Sequence, residues 1–180
     1  MSWQDFFAKR KHLLCDGAMG TMLQQAGMEI GKAPELFNVE QPEVVKKIHL
    51  AYLKVGSDII ETNSFGGSSL KLARFGLESQ VEELNNKAAQ LAREAVRSSG
   101  KEAIVAGSMG PSGELISPFG TLEPAQAQEA FAIQAQALAR GGADVILIET
   151  MSDLVEAKAA LTGALRSGLP VWITMTFEAN

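Results

Sequence analysis

The sequence predicts an α/β protein of parallel strands covered by helices, and three features carry that reading. Short, nearly continuous apolar runs alternate with longer stretches in which apolar residues recur every three or four positions. Those are the periods of strands covered on both faces and of amphipathic helices. Two of the runs are preceded by near-identical punctuation, Lys54-Val55-Gly56-Ser57-Asp58 and Arg140-Gly141-Gly142-Ala143-Asp144, which marks a repeated βα unit. No Pro-, Gly- or Ser-rich linker and no low-complexity tract breaks the alternation, so residues 1–180 read as one domain portion with no internal boundary.

Five strands are expected, at 12–16, 58–62, 103–107, 144–149 and 170–176. Four main helices separate them. The first starts at Pro42, suited to an opening turn, buries Val45, Ile48, Tyr52 and Val55, and exits at Gly56. The second spans 78–99 with Leu84, Ala88, Leu91 and Ala95 inward, ending near Gly100. The third opens at Pro124, turns Phe131, Ala135 and Leu138 inward and stops at Gly141-Gly142. The fourth begins at Ser152-Asp153, where Asp153 and Glu156 have the spacing of a capping box, and buries Leu154, Ala157 and Leu161.

Composition narrows the function classes. With 46% hydrophobic and 21% charged residues the chain can bury a core. A net charge of −5 with scattered Lys and Arg gives no basic face for nucleic acid or anionic lipid. No segment reaches the roughly 18 apolar residues of a membrane span, and the N-terminus lacks a secretory apolar run. The single cysteine, Cys15, permits no internal disulfide and cannot alone form a thiolate metal site. A cytoplasmic protein is expected. Cys15 itself is expected to point away from Asp16 and pack as a small hydrophobe.

Right-handed crossovers leave two architectures: an open doubly wound sheet, or a (β/α)₈ barrel, which needs about 250 residues. The sequence stops at Glu178-Ala179-Asn180, directly after a predicted strand and without a covering helix, so a barrel would be incomplete.

In either architecture ligands bind beyond the C-terminal ends of the strands. The exits carry Asp16-Gly17-Ala18, Glu61-Thr62-Asn63-Ser64, Gly107-Ser108-Met109-Gly110 and Glu149-Thr150. Asp16 and Glu149 are carboxylates ending apolar strands, where burial is costly without a donor or cation. A ligand ammonium would serve; so would a general acid–base role. A structural role is equally open, Asp16 capping its turn and Glu149 pairing with a nearby Lys or Arg. Gly17 and Ala18 could offer main-chain N–H groups to an anion or simply form a tight turn. Asn63 could orient a polar ligand or hold a loop. Neither glycine cluster has a dinucleotide or P-loop spacing. His12 and His49, the only histidines, stand at a strand start and on a helix among polar neighbours, so a Ser-His-Asp mechanism lacks a base.

Four segments in order, LLCDGAMGTMLQ (13–24), ELFNVEQPEVVKKIHLAYLKVGSDIIETNSFGG (35–67), GSMGPSGE (107–114) and DVILIETMSDLVEAKAAL (144–161), resemble the homocysteine S-methyltransferase family over nearly the whole chain. The resemblance implies a (β/α)₈ TIM barrel, present here as about five strands and four main helices. It implies that Asp16 and Glu149 hold the homocysteine amino group, that the backbone at Gly17 and Ala18 receives its carboxylate, and that Asn63 lines the same cavity. The DGAMGTM opening is most similar to the branch that takes its methyl group from cobalamin, which implies cobalamin- and folate-binding modules as partners in a complete protein. The family activates the thiol on zinc held by three cysteines in G-[IV]-N-C and G-G-C-C segments. Neither segment occurs in these 180 residues, so the zinc ligands are expected beyond residue 180 and the chain alone is expected to be inactive. Two other readings stay open on the residues alone: a metal-independent barrel lyase or isomerase using Asp16 and Glu149, and a non-catalytic fragment.

Overall fold

A computed structural model describes residues 3–8 and 10–177; the terminal residues 178–180 lie outside the described part. The elements run α1 (Trp3–Ala8), α2 (Met19–Gln25), α3 (Phe37–Glu40), α4 (Pro42–Val55), β1 (Ile59–Glu61), α5 (Ser69–Leu72), α6 (Val81–Ser99), β2 (Ile104–Met109), α7 (Pro124–Gly141), β3 (Val145–Met151), α8 (Leu154–Ala164) and β4 (Val171–Met175). Four of the five predicted strands and all four main helices are present, together with short helical turns.

The predicted strand at 12–16 contracts to one parallel bridge, Cys15 to Ile59. Its backbone is diverted to side chains and turns. The Leu14 N–H donates to the Asp58 carboxylate at 3.0 Å, while the Leu14 carbonyl accepts from both Asp58 and Ile59. One further bond, Asp16 N–H to the Ile59 carbonyl, carries the segment alongside β1 before Gly17.

All pairings are parallel, and the sheet order is β1-β2-β3-β4. A doubly wound sheet reverses its strand order at a switch point; this one never reverses, which is the winding of a barrel. Helices α4, α6, α7 and α8 pack against each other in chain order. Alternation along each strand separates two faces. Ile60, Val105, Ile146 and Ile148 join Leu53, Phe131 and Leu138 in the main core. Ile59, Ile104, Ala106, Val145 and Leu147 face the other way, where Phe6 of α1 packs on them.

The helix ends follow their local chemistry. Pro42 opens α4 and Gly56, at φ 115°, closes it in the left-handed region that glycine adopts without penalty. The capping box of the chain is at α7, where Glu123 and Gln126 reciprocate, and not at α8 as the spacing suggests. There Asp153 accepts from the Val155 N–H, but Glu156 is turned inward. It is buried and accepts from the Ser112 N–H at 2.7 Å and Oγ at 2.5 Å, since a buried carboxylate gains more from two donors than from an exposed cap.

Helices α7 and α8 meet at Gly163, where any Cβ would press on the Gln128 carbonyl and the Ala132 nitrogen. Gly163→Ala is therefore expected to lower unfolding free energy by about 1–3 kcal/mol through overpacking, despite alanine's better helix propensity. A urea titration of the two proteins checks it.

Candidate functional site

The inward-facing side of the sheet changes character along its strands. Apolar residues occupy the N-terminal half, and the C-terminal ends present Glu61 on β1, Ser108 on β2, and Glu149 on β3. A cavity of about 570 Å³ opens over these ends, bounded by Asp16, Gly17, Ala18, Glu61, Asn63, Ser108 and Glu149, with Glu35, Phe65, Lys71 and Phe75 on its far side. All five residues singled out in the sequence line it. A second hollow of about 440 Å³ on the same sheet face is shared by Cys15, Glu61, Glu149, Trp172 and Thr174.

Each carboxylate is fixed differently. Both oxygens of Asp16 accept from the Glu61 backbone N–H at 3.1 Å, so Asp16 ties the first segment to β1. Glu149 accepts from Ser108 Oγ at 2.5 Å, and no salt bridge to it occurs among the described residues. Beneath it runs a chain of buried hydroxyls. The Ser108 N–H donates to Thr62 Oγ1 at 3.0 Å, Thr62 and Ser64 share a hydrogen bond of 2.6 Å, and Ser64 Oγ donates to the Ser108 carbonyl at 2.7 Å. The strand itself is irregular here, with a register shift between Ile148 and Met151. Thr150 sits at φ 62°, a conformation costly for a β-branched residue.

Asn63 is a loop holder. Its Nδ2 donates to the Pro34 carbonyl at 2.8 Å and to Asn38 Oδ1 at 3.0 Å, pinning the 33–38 segment as a wall of the cavity. Glu35 of that segment is buried and accepts from the Gly66 N–H at 2.7 Å. Gly17 lies against Tyr52, whose ring would come within 3.1–3.4 Å of an added Cβ and whose hydroxyl donates to the Ala18 carbonyl at 3.1 Å.

Two sequence expectations are corrected. Cys15 is exposed and lines the second hollow beside Ile59 and Trp172. Burial, followed by the charges of Glu61, Asp16 and Glu149, pushes its thiol up, away from thiolate reactivity. His49 is not among polar neighbours but fully buried, with no hydrogen-bond partner for either ring nitrogen among the described residues. Burial holds its imidazole down to about 4.

Glu61 is the site residue that sequence reading passed over. It stands at a strand exit just as Asp16 and Glu149 do, and that shared position was the signal. Burial first, then the charges of Glu61 and Glu149, push Asp16 up to about 8 against the Glu61 N–H. Burial and then Glu149 push Glu61 up to about 7. Among the described residues no group of three or more His, Cys, Asp or Glu is placed to hold a metal ion, so these residues do not by themselves fit a zinc site.

Comparison with known proteins places this geometry. The family profile described as homocysteine S-methyltransferase matches residues 13–180, and the chain belongs to that family. Similar proteins include the methionine synthases of Mycobacterium tuberculosis, 34% identical, and Mycobacterium leprae, 32% identical, each over 92% of this chain and 15% of the relative. The chain thus spans about 15% of the length of those curated relatives. Among solved structures, the homocysteine methyltransferase MmuM of Escherichia coli is similar in its metallated form, with a TM-score of 0.81 and 28% identity over 96% of this chain and 66% of that one. Its oxidized form gives 0.79 over 93% and 63%.

The raised carboxyls set a pH dependence. A proton held more tightly when folded stabilises the fold at low pH, and that gain is lost as pH rises through the folded value. For Asp16 and Glu61 the loss extends to about 7–8. His49, depressed to about 4, acts oppositely and only below its ordinary value of about 6.5. Between roughly pH 6.5 and 8, stability is therefore expected to fall with pH, and Asp16→Asn to flatten that slope. Denaturant midpoints measured across the window decide it.

Proposed function

We propose that this chain forms the amino-acid-gripping part of a homocysteine S-methyltransferase that makes methionine. The observation that carries the proposal is the cavity wall of Asp16, Glu61 and Glu149, unmatched by any salt bridge among the described residues and lined below by Gly17 and Ala18. Anionic groups withheld from water gain most from a cation, and an α-ammonium is such a cation.

In this reading Asp16 and Glu149 hold the substrate ammonium, and main-chain N–H groups at Gly17 and Ala18 receive its carboxylate. Asn63 keeps the 33–38 wall in place. Gripping both ends of the amino acid fixes the direction of its thiol-bearing arm, which is the entropic share of catalysis such a site can supply. Zinc, held by cysteines outside these residues, would supply the thiolate, and methylcobalamin on a further module the methyl group. The 180-residue chain alone, with Cys15 its only thiol, binds without turnover.

Asp16→Asn and Glu149→Gln are each expected to raise the homocysteine Kd about tenfold or more in the full-length protein, the scale of one charge-assisted hydrogen bond. Isothermal titration measures this, and methionine formation should fall in parallel. Unchanged affinity in both variants would sink the proposal.

A further inference from the structure

We propose that Glu61 is the third acceptor of the ammonium site and makes it selective for a primary amine, an assignment that rests on reading the cavity as an amino-acid site. The case is one of hydrogen-bond accounting. A primary ammonium has three N–H donors and binds best when each is met. The two Asp16 oxygens share the single Glu61 N–H, and one oxygen of Glu149 accepts from Ser108 Oγ, so each carboxylate is aimed by a fixed donor. Two carboxylates meet the ammonium from two directions, and its third N–H points in a third.

Glu61 meets that need by position. It ends β1 on the same inward face as Ser108 and Glu149, its backbone carries Asp16, and its side chain lines both hollows over the sheet. The sheet register brings Glu61 opposite Ala106 on β2, and the next strand presents Glu149. The three carboxylates thus line one volume from the 12–16 segment, β1 and β3. The charge of Glu149 opposes ionisation of Glu61, and an added cation relieves that repulsion where a neutral ligand cannot.

The test compares homocysteine with its des-amino analogue, 4-mercaptobutanoate, by isothermal titration of the full-length protein and its Glu61→Gln variant. Gln keeps the size and removes the charge, and a melting curve confirms folding. The expected result is a homocysteine Kd raised about tenfold while that of 4-mercaptobutanoate moves by less than about twofold. Equal weakening of both ligands, or of neither, would overturn the assignment. Should Glu61→Gln fail to fold, Glu61→Asp, which keeps the charge on a shorter arm, must weaken homocysteine alone or the assignment falls. A wild-type protein that binds the two ligands equally would instead remove the amino-acid reading, and this assignment with it.

Discussion

Three carboxylates brought together at one end of a parallel sheet, with no Lys or Arg bridging to them among the described residues, are the constraint around which this structure is organised. Like charges withdrawn from water oppose each other and the fold, and each needs a fixed donor to stay in place. Asp16 finds one in the Glu61 N–H and Glu149 in Ser108 Oγ. Ser108 is in turn held by Thr62 and Ser64, and Gln134 of α7 reaches in to donate to the Ser64 carbonyl at 2.8 Å. The polar layer under the cavity is therefore braced from the helical layer outside the sheet. Buried networks of this kind lose more than one bond's worth when a member is removed, because the remaining buried partners are orphaned.

Much of this was legible in the sequence. Helices α4, α6, α7 and α8 announce themselves by period and by Pro and Gly at their ends, since burial of one face and left-handed exit are local demands. Strands β2 and β3 do so by unbroken apolar runs. The segment around Cys15 shortens to a single bridge where the Leu14 N–H goes to the Asp58 side chain, a long-range choice that no window of sequence reveals. The same limit explains Glu156: its spacing from Asp153 imitates a cap, and only the fold shows Ser112 waiting inside. His49 reads as polar from its neighbours in sequence, but helical position sets its surroundings.

The site was legible in part for the same reason. Asp16, Glu149, Gly17, Ala18 and Asn63 were marked by standing at strand exits, a rule of topology that needs no coordinates. Glu61 obeyed the rule equally and was outweighed by the Thr62-Asn63 pair beside it. The hydroxyl network of Thr62, Ser64 and Ser108 could not be read, because serine and threonine at a strand end are as compatible with solvent as with a buried brace.

A gradient along each strand ties these points together. On the inward face Ile59 gives way to Glu61, Ala106 to Ser108 and Leu147 to Glu149, each pair two residues apart. The apolar half is sealed by Phe6, and the strand pairing carries on through Glu61 and Ser108 into the polar half. Rigidity is made where water is excluded and used where charge must be placed. Among the described residues Thr150 is the one non-glycine at positive φ, and it stands directly after Glu149 at the far end of the polar half. A strained residue persists only where its surroundings over-determine it, and here they do: β4 runs alongside, Thr174 accepts from the Thr150 N–H at 3.3 Å, and the carboxylate just before it is anchored on β2. The strained residue lies within the register shift between Ile148 and Met151, directly after Glu149, so the bulge that interrupts the β3–β4 pairing sets the direction in which Glu149 meets the cavity.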